Sequence, residues 1–343
     1  MGVMMISRRN LLLGTFGVGS IGYLLSTIKR TRTGHVLSSK ERVDRALSGR
    51  DVDRSPFSVW QSLQDEGKSG THHADLTLAF WQRVRPDLLK VMNEYAYPRP
   101  SGGLLSVREE QNPFPEQIHA LELIRDGLQG RAYFIETLPN PWHVAEGVSS
   151  RPDVLRLKDE QPQQLLDALE VIARSQANHA RRAVAAGASG IFLGVSNAQD
   201  GVLSPAEHAH FSEPFDRMVL DAVSSAPLNT LHLHTDAALG DRLHLELLAR
   251  SWPARVLNYS VHATGIPTAM MRRRFSGVLM AGLDERRFRQ LSADDLRAQW
   301  KVAREGAGMH FMLTPGCTLP VDTSADELRM LTHLMQKESE SAM

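Results

Sequence analysis

The sequence predicts an α/β protein, a single-domain (β/α)8 TIM barrel, from two observations. Eight short apolar runs of strand length follow one another along residues 35–343, and segments with helical periodicity lie between them. This alternation is typical of parallel sheets whose strands are joined by helices. Open doubly wound sheets share it, but they usually carry a Gly-rich turn after the first strand. Residues 61–63, which follow the first predicted strand, are not such a turn, so a barrel is favoured.

The predicted strands are short apolar runs bounded by Gly, Pro or polar residues. In chain order they cover residues 55–60, 88–92, 132–135, 190–195, 231–234, 255–259, 278–281 and 309–313. The first helix begins with the capping pair Ser38 and Glu41. The predicted helices cover residues 37–49, 73–84, 115–128, 161–186, 205–223, 239–249, 267–275, 294–305 and 324–336.

Composition excludes several classes of function. The 343 residues include 39 basic and 39 acidic side chains, so the charge balance does not favour nucleic acid as a partner. We therefore expect a small-molecule substrate. The single cysteine, Cys317, cannot form an internal disulfide. It is either a small buried apolar residue or a chemically active group.

Residues 1–34 have the pattern of an export signal or N-terminal anchor followed by a basic linker. The pair Arg8-Arg9 precedes an apolar, Gly-containing run that extends to Leu25, which is similar to a twin-arginine signal. The run is shorter than the roughly 20 residues that span a bilayer, and no clear cleavage site follows. The pattern predicts an exported or membrane-anchored protein that uses the twin-arginine export machinery and meets the membrane only through this leader. A cytoplasmic protein with an amphipathic leader is the alternative.

Polar residues follow most of the predicted strands, and in a barrel of this type the chemistry lies at the carboxyl ends of the strands. These strand-end residues are Gln61, Asn93, Glu136, Asn197, His232, His234, Asp236, His262, Asp284 and Cys317. From this set, Asn93, Asn197 and Asp284 are the candidate cofactor-binding residues.

Two of the strand ends predict a metal site. His232 and His234 alternate with Leu231 and Leu233, so on a strand both imidazoles lie on one face. Two imidazoles can bind a borderline-soft cation such as zinc, and the Cys317 thiolate is a natural third ligand. The sequence therefore predicts that these two strand ends converge on a metal at the mouth of the barrel.

Three further residues are candidates for a fourth ligand or for acid–base catalysis beside the metal: Asp236, His262 and Glu136. Each also has a structural explanation, because a lone polar residue at a strand end is most often held by hydrogen bonds. The triplet Arg272-Arg273-Arg274 is predicted to be a solvated helix face or a capping cluster.

Several motifs along residues 41–335 occur together in one known superfamily. They are 41–47 (ERVDRAL), 52–56 (VDRSP), 86–93 (PDLLKVMN), 203–205 (LSP) with Phe211 and Pro214, 282–284 (GLD) and 314–323 (TPGCTLPVDT). Together they resemble the uroporphyrinogen decarboxylase superfamily, which also includes zinc-dependent methylcobamide:coenzyme M methyltransferases. The resemblance implies a barrel enzyme, with a corrinoid or tetrapyrrole as its substrate or partner.

The two branches of that superfamily carry different chemistry. The decarboxylase proper has an Arg- and Gly-rich segment after its first strand that binds substrate carboxylates, whereas residues 61–67 here (QSLQDEG) contain no arginine. The methyltransferase branch binds zinc through a His-x-Cys pair and a later Cys. By position His232 matches the histidine, His234 replaces the first cysteine and Cys317 matches the second.

The resemblance therefore implies a zinc-dependent enzyme of the methyl-transfer type that activates a thiol, a hydroxyl or another small substrate. Decarboxylation of a tetrapyrrole in porphyrin biosynthesis is one alternative. An exported protein that binds a corrinoid, a porphyrin or a metal without catalysis is another.

Overall fold

Parallel strands form the centre of the computed structural model, which describes residues 36–64 and 69–341. Within these residues seven strands form one sheet in chain order, and every neighbouring pair is parallel. They are β1 (Leu88–Val91), β2 (Tyr133–Pro139), β3 (Ile191–Val195), β4 (Thr230–Leu233), β5 (Val256–Tyr259), β6 (Val278–Leu283) and β7 (Phe311–Pro315). The curled sheet with its connecting helices is TIM-barrel-like, which confirms the predicted fold class.

The first predicted strand, residues 55–60, is not a regular strand, although it lies where an eighth strand would lie. Its one bridge is parallel and pairs Phe57 with Leu313 of β7. The Ser58 N–H donates to the Leu313 carbonyl (3.0 Å), and the Asp87 N–H, just before β1, donates to the Phe57 carbonyl (2.9 Å). The segment thus joins both edges of the sheet. The prediction of eight full strands is wrong here because Pro56 offers no N–H to a ladder.

Buried ion pairs fasten this closing segment at the N-terminal end of the barrel. Arg42 binds Asp53 through two hydrogen bonds of 2.8 and 2.7 Å and also reaches Asp87 at 3.1 Å. Arg54 pairs with Asp87 as well, and the Phe57 N–H donates to the same carboxylate (3.0 Å). Because all four charged groups are paired, their burial is compensated.

Twelve α-helices occur among the described residues. They are α1 (Ser39–Leu47), α2 (Gly70–Val84), α3 (Pro115–Leu128), α4 (Pro141–Val148), α5 (Arg151–Glu160), α6 (Pro162–Ala185), α7 (Pro205–Phe211), α8 (Glu213–Asp221), α9 (Val261–Thr264), α10 (Thr268–Arg272), α11 (Ala293–Ala307) and α12 (Ala325–Ser341). The helix predicted over residues 239–249 is wrong, since two short 3-10 helices, Ala237–Leu239 and Leu245–Ala249, occur there instead. Gly240 and Asp241 between them have φ of +84° and +57°, and a left-handed pair interrupts a helix.

Apolar side chains pack on both faces of the sheet. The interior of the barrel holds Leu88, Ile135, Phe192, Leu228, Val256, Val278, Met280 and Met312, and α1 closes its N-terminal end with Val43 and Ala46. The outer face packs against the helices, and Leu231 and Leu233 belong to that outer core. Alternation along β4 therefore turns His232 into the barrel.

The predicted leader, residues 1–34, lies outside the described residues. Along residues 36–64 and 69–341, the helices are all too short or too polar to cross a bilayer. The described residues all belong to one compact unit.

Candidate metal centre

The ends of β4 and β7 bring His232, His234 and Cys317 together. One donor atom from each residue lies within 4.8 Å of the other two, and Cys317 Sγ is 3.5 Å from His234 Nδ1. In a tetrahedral site with Zn–S of about 2.3 Å and Zn–N of about 2.0–2.1 Å, sulfur and nitrogen lie about 3.5 Å apart. The spacing of Cys317 and His234 therefore fits two ligands of one zinc ion, and His232 lies close enough to be a third ligand.

The protonation of the three groups favours the forms that bind metals. Burial lowers the pKa of both His232 and His234, which keeps the imidazoles neutral. Burial by itself raises the pKa of the Cys317 thiol, but the hydrogen bond with His232 leads the interactions that outweigh burial, and the net pKa is lowered. Neutral imidazoles and a thiolate are the ligand forms that a metal requires.

Packing orients His232 towards the site. Its ring stacks on Phe192 of β3 with the ring centroids 4.8 Å apart. A side chain at Gly194 would occupy the space against this ring, since an added Cβ would lie 3.6 Å from His232 Cδ2. The Nδ1 atom of His232 is buried and has no hydrogen-bond partner in the described part of the chain. A buried ring nitrogen without a partner is costly, and a metal bound through this nitrogen would supply the missing partner.

The loop that carries Cys317 is held by its neighbours on β5 and β6. The Gly316 N–H donates to Glu285 Oε2 at 3.1 Å. A Cβ at Gly316 would lie 2.1 Å from Ser260 Cα, so only glycine fits between β7 and β5 here. Asn258 Nδ2 donates to the Pro315 carbonyl at 3.0 Å. These contacts fix the position of the sulfur relative to the imidazoles.

Two of the predicted acid–base residues lie near these strand ends. Asp236 follows His234 and accepts the Ala238 N–H (2.9 Å), so it caps a short turn. Its charge also acts on His234, where it opposes the effect of burial on the pKa. His262 Nε2 lies 3.1 Å from the Gly282 carbonyl oxygen, and its Nδ1 is 3.9 Å from Asp284 Oδ2. The geometry thus makes a His262–Asp284 pair, which is separate from the three donors.

The structure does not bring Glu136 to the metal donors. β2 continues to Pro139, and because Ile135 points into the barrel, Glu136 points out towards the helices. Its Oε1 accepts hydrogen bonds from Asn93 Nδ2 (3.0 Å) and pairs with His179 Nε2 (2.8 Å). Its Oε2 accepts from Gln117 Nε2 (2.7 Å). The proposed catalytic role of Glu136, and the cofactor role of Asn93, therefore find no support in this arrangement.

Asn197 likewise lies in a buried polar network. Its Oδ1 accepts hydrogen bonds from Asn140 Nδ2 (2.9 Å) and Ser212 Oγ (3.2 Å). Asp216 completes this network, and burial raises its pKa to about 7. The network joins the ends of β2 and β3 to α8, so the contacts of Asn197 are structural.

Lys90 is a residue near the site that the sequence analysis did not single out. It lies on β1 between Leu88 and Met92 and points into the barrel, where its Nζ lies 4.6 Å from the Phe192 ring centroid and 5.1 Å from that of Trp60. Burial lowers its pKa to about 7, and the charge of Cys317 is the largest opposing influence. Its inward-facing position in a buried strand is the signal that could have identified it.

Fold and site together define a parallel α/β barrel with a His/His/Cys cluster at the carboxyl ends of its strands. Residues 102–338 match the family model described as Uroporphyrinogen decarboxylase (URO-D). The chain belongs to this family. A search of curated proteins gave no significant match.

Solved structures share the fold at low sequence identity. A methyltransferase from Methanosarcina mazei is 17% identical, with a TM-score of 0.70 over 88% of this chain and 99% of that one. A B12-independent methionine synthase from Shewanella sp. W3-18-1 is 11% identical, with a TM-score of 0.56 over 84% and 98% of the two chains. At these identities the likeness establishes the fold alone.

Proposed function

We propose that this chain is a zinc-dependent enzyme that activates a thiol or hydroxyl group of a small substrate for methyl transfer. The observation that carries the proposal is the convergence of His232, His234 and Cys317, with donor atoms within 4.8 Å of one another. Their positions on β4 and after β7 correspond to the carboxyl ends of the strands, where barrel enzymes hold their active sites.

Three protein ligands would leave one coordination position of a zinc ion open for a substrate. Zinc with three protein ligands has a fourth position that can take a thiol, alcohol or water and lower its pKa. Two neutral imidazoles and one thiolate would provide a single negative charge, so a zinc ion held by these residues would keep a net positive charge. Such a charge would favour the deprotonated form of a substrate thiol at the site.

The proposed reaction transfers one methyl group. The substrate S–H or O–H loses its proton, and the sulfur or oxygen then forms a bond to the methyl carbon while the bond from that carbon to the donor breaks. The electron pair of the broken bond leaves with the donor, for which a methylated corrinoid is proposed. His262, paired with Asp284, lies at neighbouring strand ends and is proposed to accept the proton.

Metal analysis of purified protein tests the proposal. We expect near-stoichiometric zinc in the wild type and a loss of zinc affinity greater than about 100-fold in His234→Ala and Cys317→Ser, because even changes to residues behind the ligands cost about 10–100-fold. His119→Gln is the matched control, since His119 is exposed and lies on α3. Cobalt substitution should give a sulfur-to-cobalt charge-transfer band that Cys317→Ser abolishes. Folded wild-type protein that binds neither zinc nor cobalt would refute the metal site.

Turnover distinguishes the reaction classes. Methylcobalamin mixed with small thiols should lose its methyl group in the presence of the zinc-loaded wild type but not of Cys317→Ser. Conversion of uroporphyrinogen to coproporphyrinogen would instead establish decarboxylation. A zinc-loaded protein that turns over neither substrate would overturn methyl transfer as proposed.

A further inference from the structure

The N-terminal end of the barrel, opposite the His/His/Cys cluster, contains a cavity of about 470 Å³ at the start of β5 and β6. Trp252 and Phe275 form apolar parts of its wall, and three arginines, Arg250, Arg255 and Arg274, lie around it. Its volume falls within the range of about 300–1,000 Å³ that is typical of small-molecule sites.

The charge around this cavity is not balanced locally. No acidic side chain lines it within residues 36–64 and 69–341. The Arg250 guanidinium lies 3.3 Å from Glu213 Oε1. The guanidinium groups of Arg255 and Arg274 make neither a hydrogen bond nor an ion pair with the described residues, and both side chains are exposed. The lining of the cavity is therefore positively charged, although the whole chain has a formal net charge of zero.

The wall of the cavity is preformed. Arg272, the first residue of the arginine triplet, donates to the carbonyl oxygens of Phe275 (2.9 Å) and Gly277 (2.6 Å). It also donates to the carbonyls of Ala307 (2.9 Å) and His310 (2.7 Å). The prediction of a capping cluster therefore describes Arg272 well, because it binds carbonyls at a loop. None of these partners is a carboxylate, so the charge of Arg272 adds to that of the cavity.

The opposite wall is fixed as well. Trp252 Nε1 donates to the Leu247 carbonyl (2.9 Å), and the Arg217 guanidinium lies 4.5 Å from the Trp252 ring centroid. With both walls held by side-chain contacts, little ordering is needed when a ligand enters.

The chain also enters the barrel at this end. The first described residues lead into α1, which closes the N-terminal end of the barrel, and the Leu37 N–H donates to Asp53 (3.2 Å) in the ion-pair cluster there. The preceding sequence contains the apolar run that ends near Leu25 and the basic residues Lys29, Arg30 and Arg32.

We propose that this cavity binds the phosphate headgroup of an anionic phospholipid, which makes it a second membrane contact in addition to the leader. Arginine guanidinium groups bind phosphate through paired hydrogen bonds. The apolar wall of Trp252 and Phe275 accommodates the glycerol and the first acyl carbons.

Vesicle binding by the full-length chain tests the proposal. The probe is phosphatidylcholine vesicles with and without about 30% phosphatidylglycerol, since basic residues at a surface respond to anionic lipid. We expect Arg255→Ala and Arg274→Ala each to weaken binding to the anionic vesicles about fivefold. Arg181→Ala on α6 removes one exposed arginine elsewhere and is the matched control. All three variants keep the same leader, so its contribution cancels.

Calorimetry with soluble ligands separates a lipid from a free phosphate ester. Short-chain dihexanoyl-phosphatidylglycerol should bind the wild type more tightly than glycerol 3-phosphate does, and Arg255→Ala should weaken its binding by the same factor as in the vesicle assay. Equal losses of lipid affinity in Arg181→Ala and Arg255→Ala would overturn the proposal, since the loss would then come from the general surface charge and not from the cavity. Equal affinity for glycerol 3-phosphate and the lipid would overturn the membrane assignment.

Discussion

Replacement of Lys90 by methionine tests whether the buried ammonium charge of Lys90 destabilises the folded barrel. Lys90 is 5% exposed, and along the described residues its ammonium forms no ion pair. Its Nζ lies over the rings of Phe192 and Trp60 and 3.0 Å from the Met92 sulfur, and the charges of Cys317, Glu136 and Glu94 offset only part of the effect of burial. A thioether is a weak acceptor, so the charge is poorly compensated. Methionine keeps a similar length and removes the charge.

The magnitude follows from the pKa, which burial lowers from 10.5 to about 7. Between these values the unfolded chain binds more protons than the folded protein, so wild-type stability rises with pH across this window. The linkage amounts to about 5 kcal/mol at pH 7 and below, and the two cation–π contacts are worth about 1 kcal/mol each. We therefore expect Lys90→Met to raise the free energy of unfolding by about 3 kcal/mol at pH 7. The gain should shrink towards zero as pH approaches 10.5.

Urea unfolding of metal-free protein at several values between pH 6.5 and 9.5 measures this difference. Lys301→Met, at an exposed position on α11, is the control and should show no such pH dependence. A gain for Lys90→Met that does not change with pH, or a loss of stability at pH 7, would refute the assignment of a poorly compensated buried charge.

Two further predictions concern the residues around the site. Gly316→Ala should cost about 2–3 kcal/mol in thermal unfolding and reduce zinc binding, because the new Cβ would lie 2.1 Å from Ser260 Cα. Gly147→Ala is the control, since a Cβ at Gly147 meets nothing within 4 Å. Equal losses of stability in the two variants would contradict the argument. Glu136→Gln should cost about 2 kcal/mol of stability in urea unfolding, because it weakens buried charged hydrogen bonds, while zinc content stays unchanged. Loss of zinc with full stability would instead place Glu136 in the metal site.

The order of elements was predictable from the sequence because strand and helix periodicities are local properties of the chain. All seven strands of the sheet fall on predicted apolar runs, and Leu231 and Leu233 point to the outer core as their alternation with the histidines required. The first run, residues 55–60, did not form a regular strand, because Pro56 has no N–H to donate and the segment makes only a single bridge, Phe57 to Leu313 of β7. The predicted helix over residues 239–249 is interrupted by the positive φ angles of Gly240 and Asp241, which the spacing of apolar residues does not indicate.

The direction of a side chain, into the barrel or out towards the helices, could not be predicted equally well for every residue. Glu136 was placed at a strand end because the apolar run stops at Ile135, yet β2 extends to Pro139 and turns Glu136 away from the barrel. Lys90 was not singled out from the sequence; its alternation with Leu88 is consistent with an inward position, but only the packed barrel shows which rings and which sulfur surround it.

By itself the sequence determined the alternating architecture and identified two imidazoles on one face of a strand, since both depend on spacing along the chain. Only the tertiary structure decided that Cys317 lies 3.5 Å from His234 and that Glu136 lies behind the sheet. It also gathered three arginines around a cavity at the opposite end. These juxtapositions depend on how strands and loops far apart in sequence close into a barrel, and no local pattern encodes such distances.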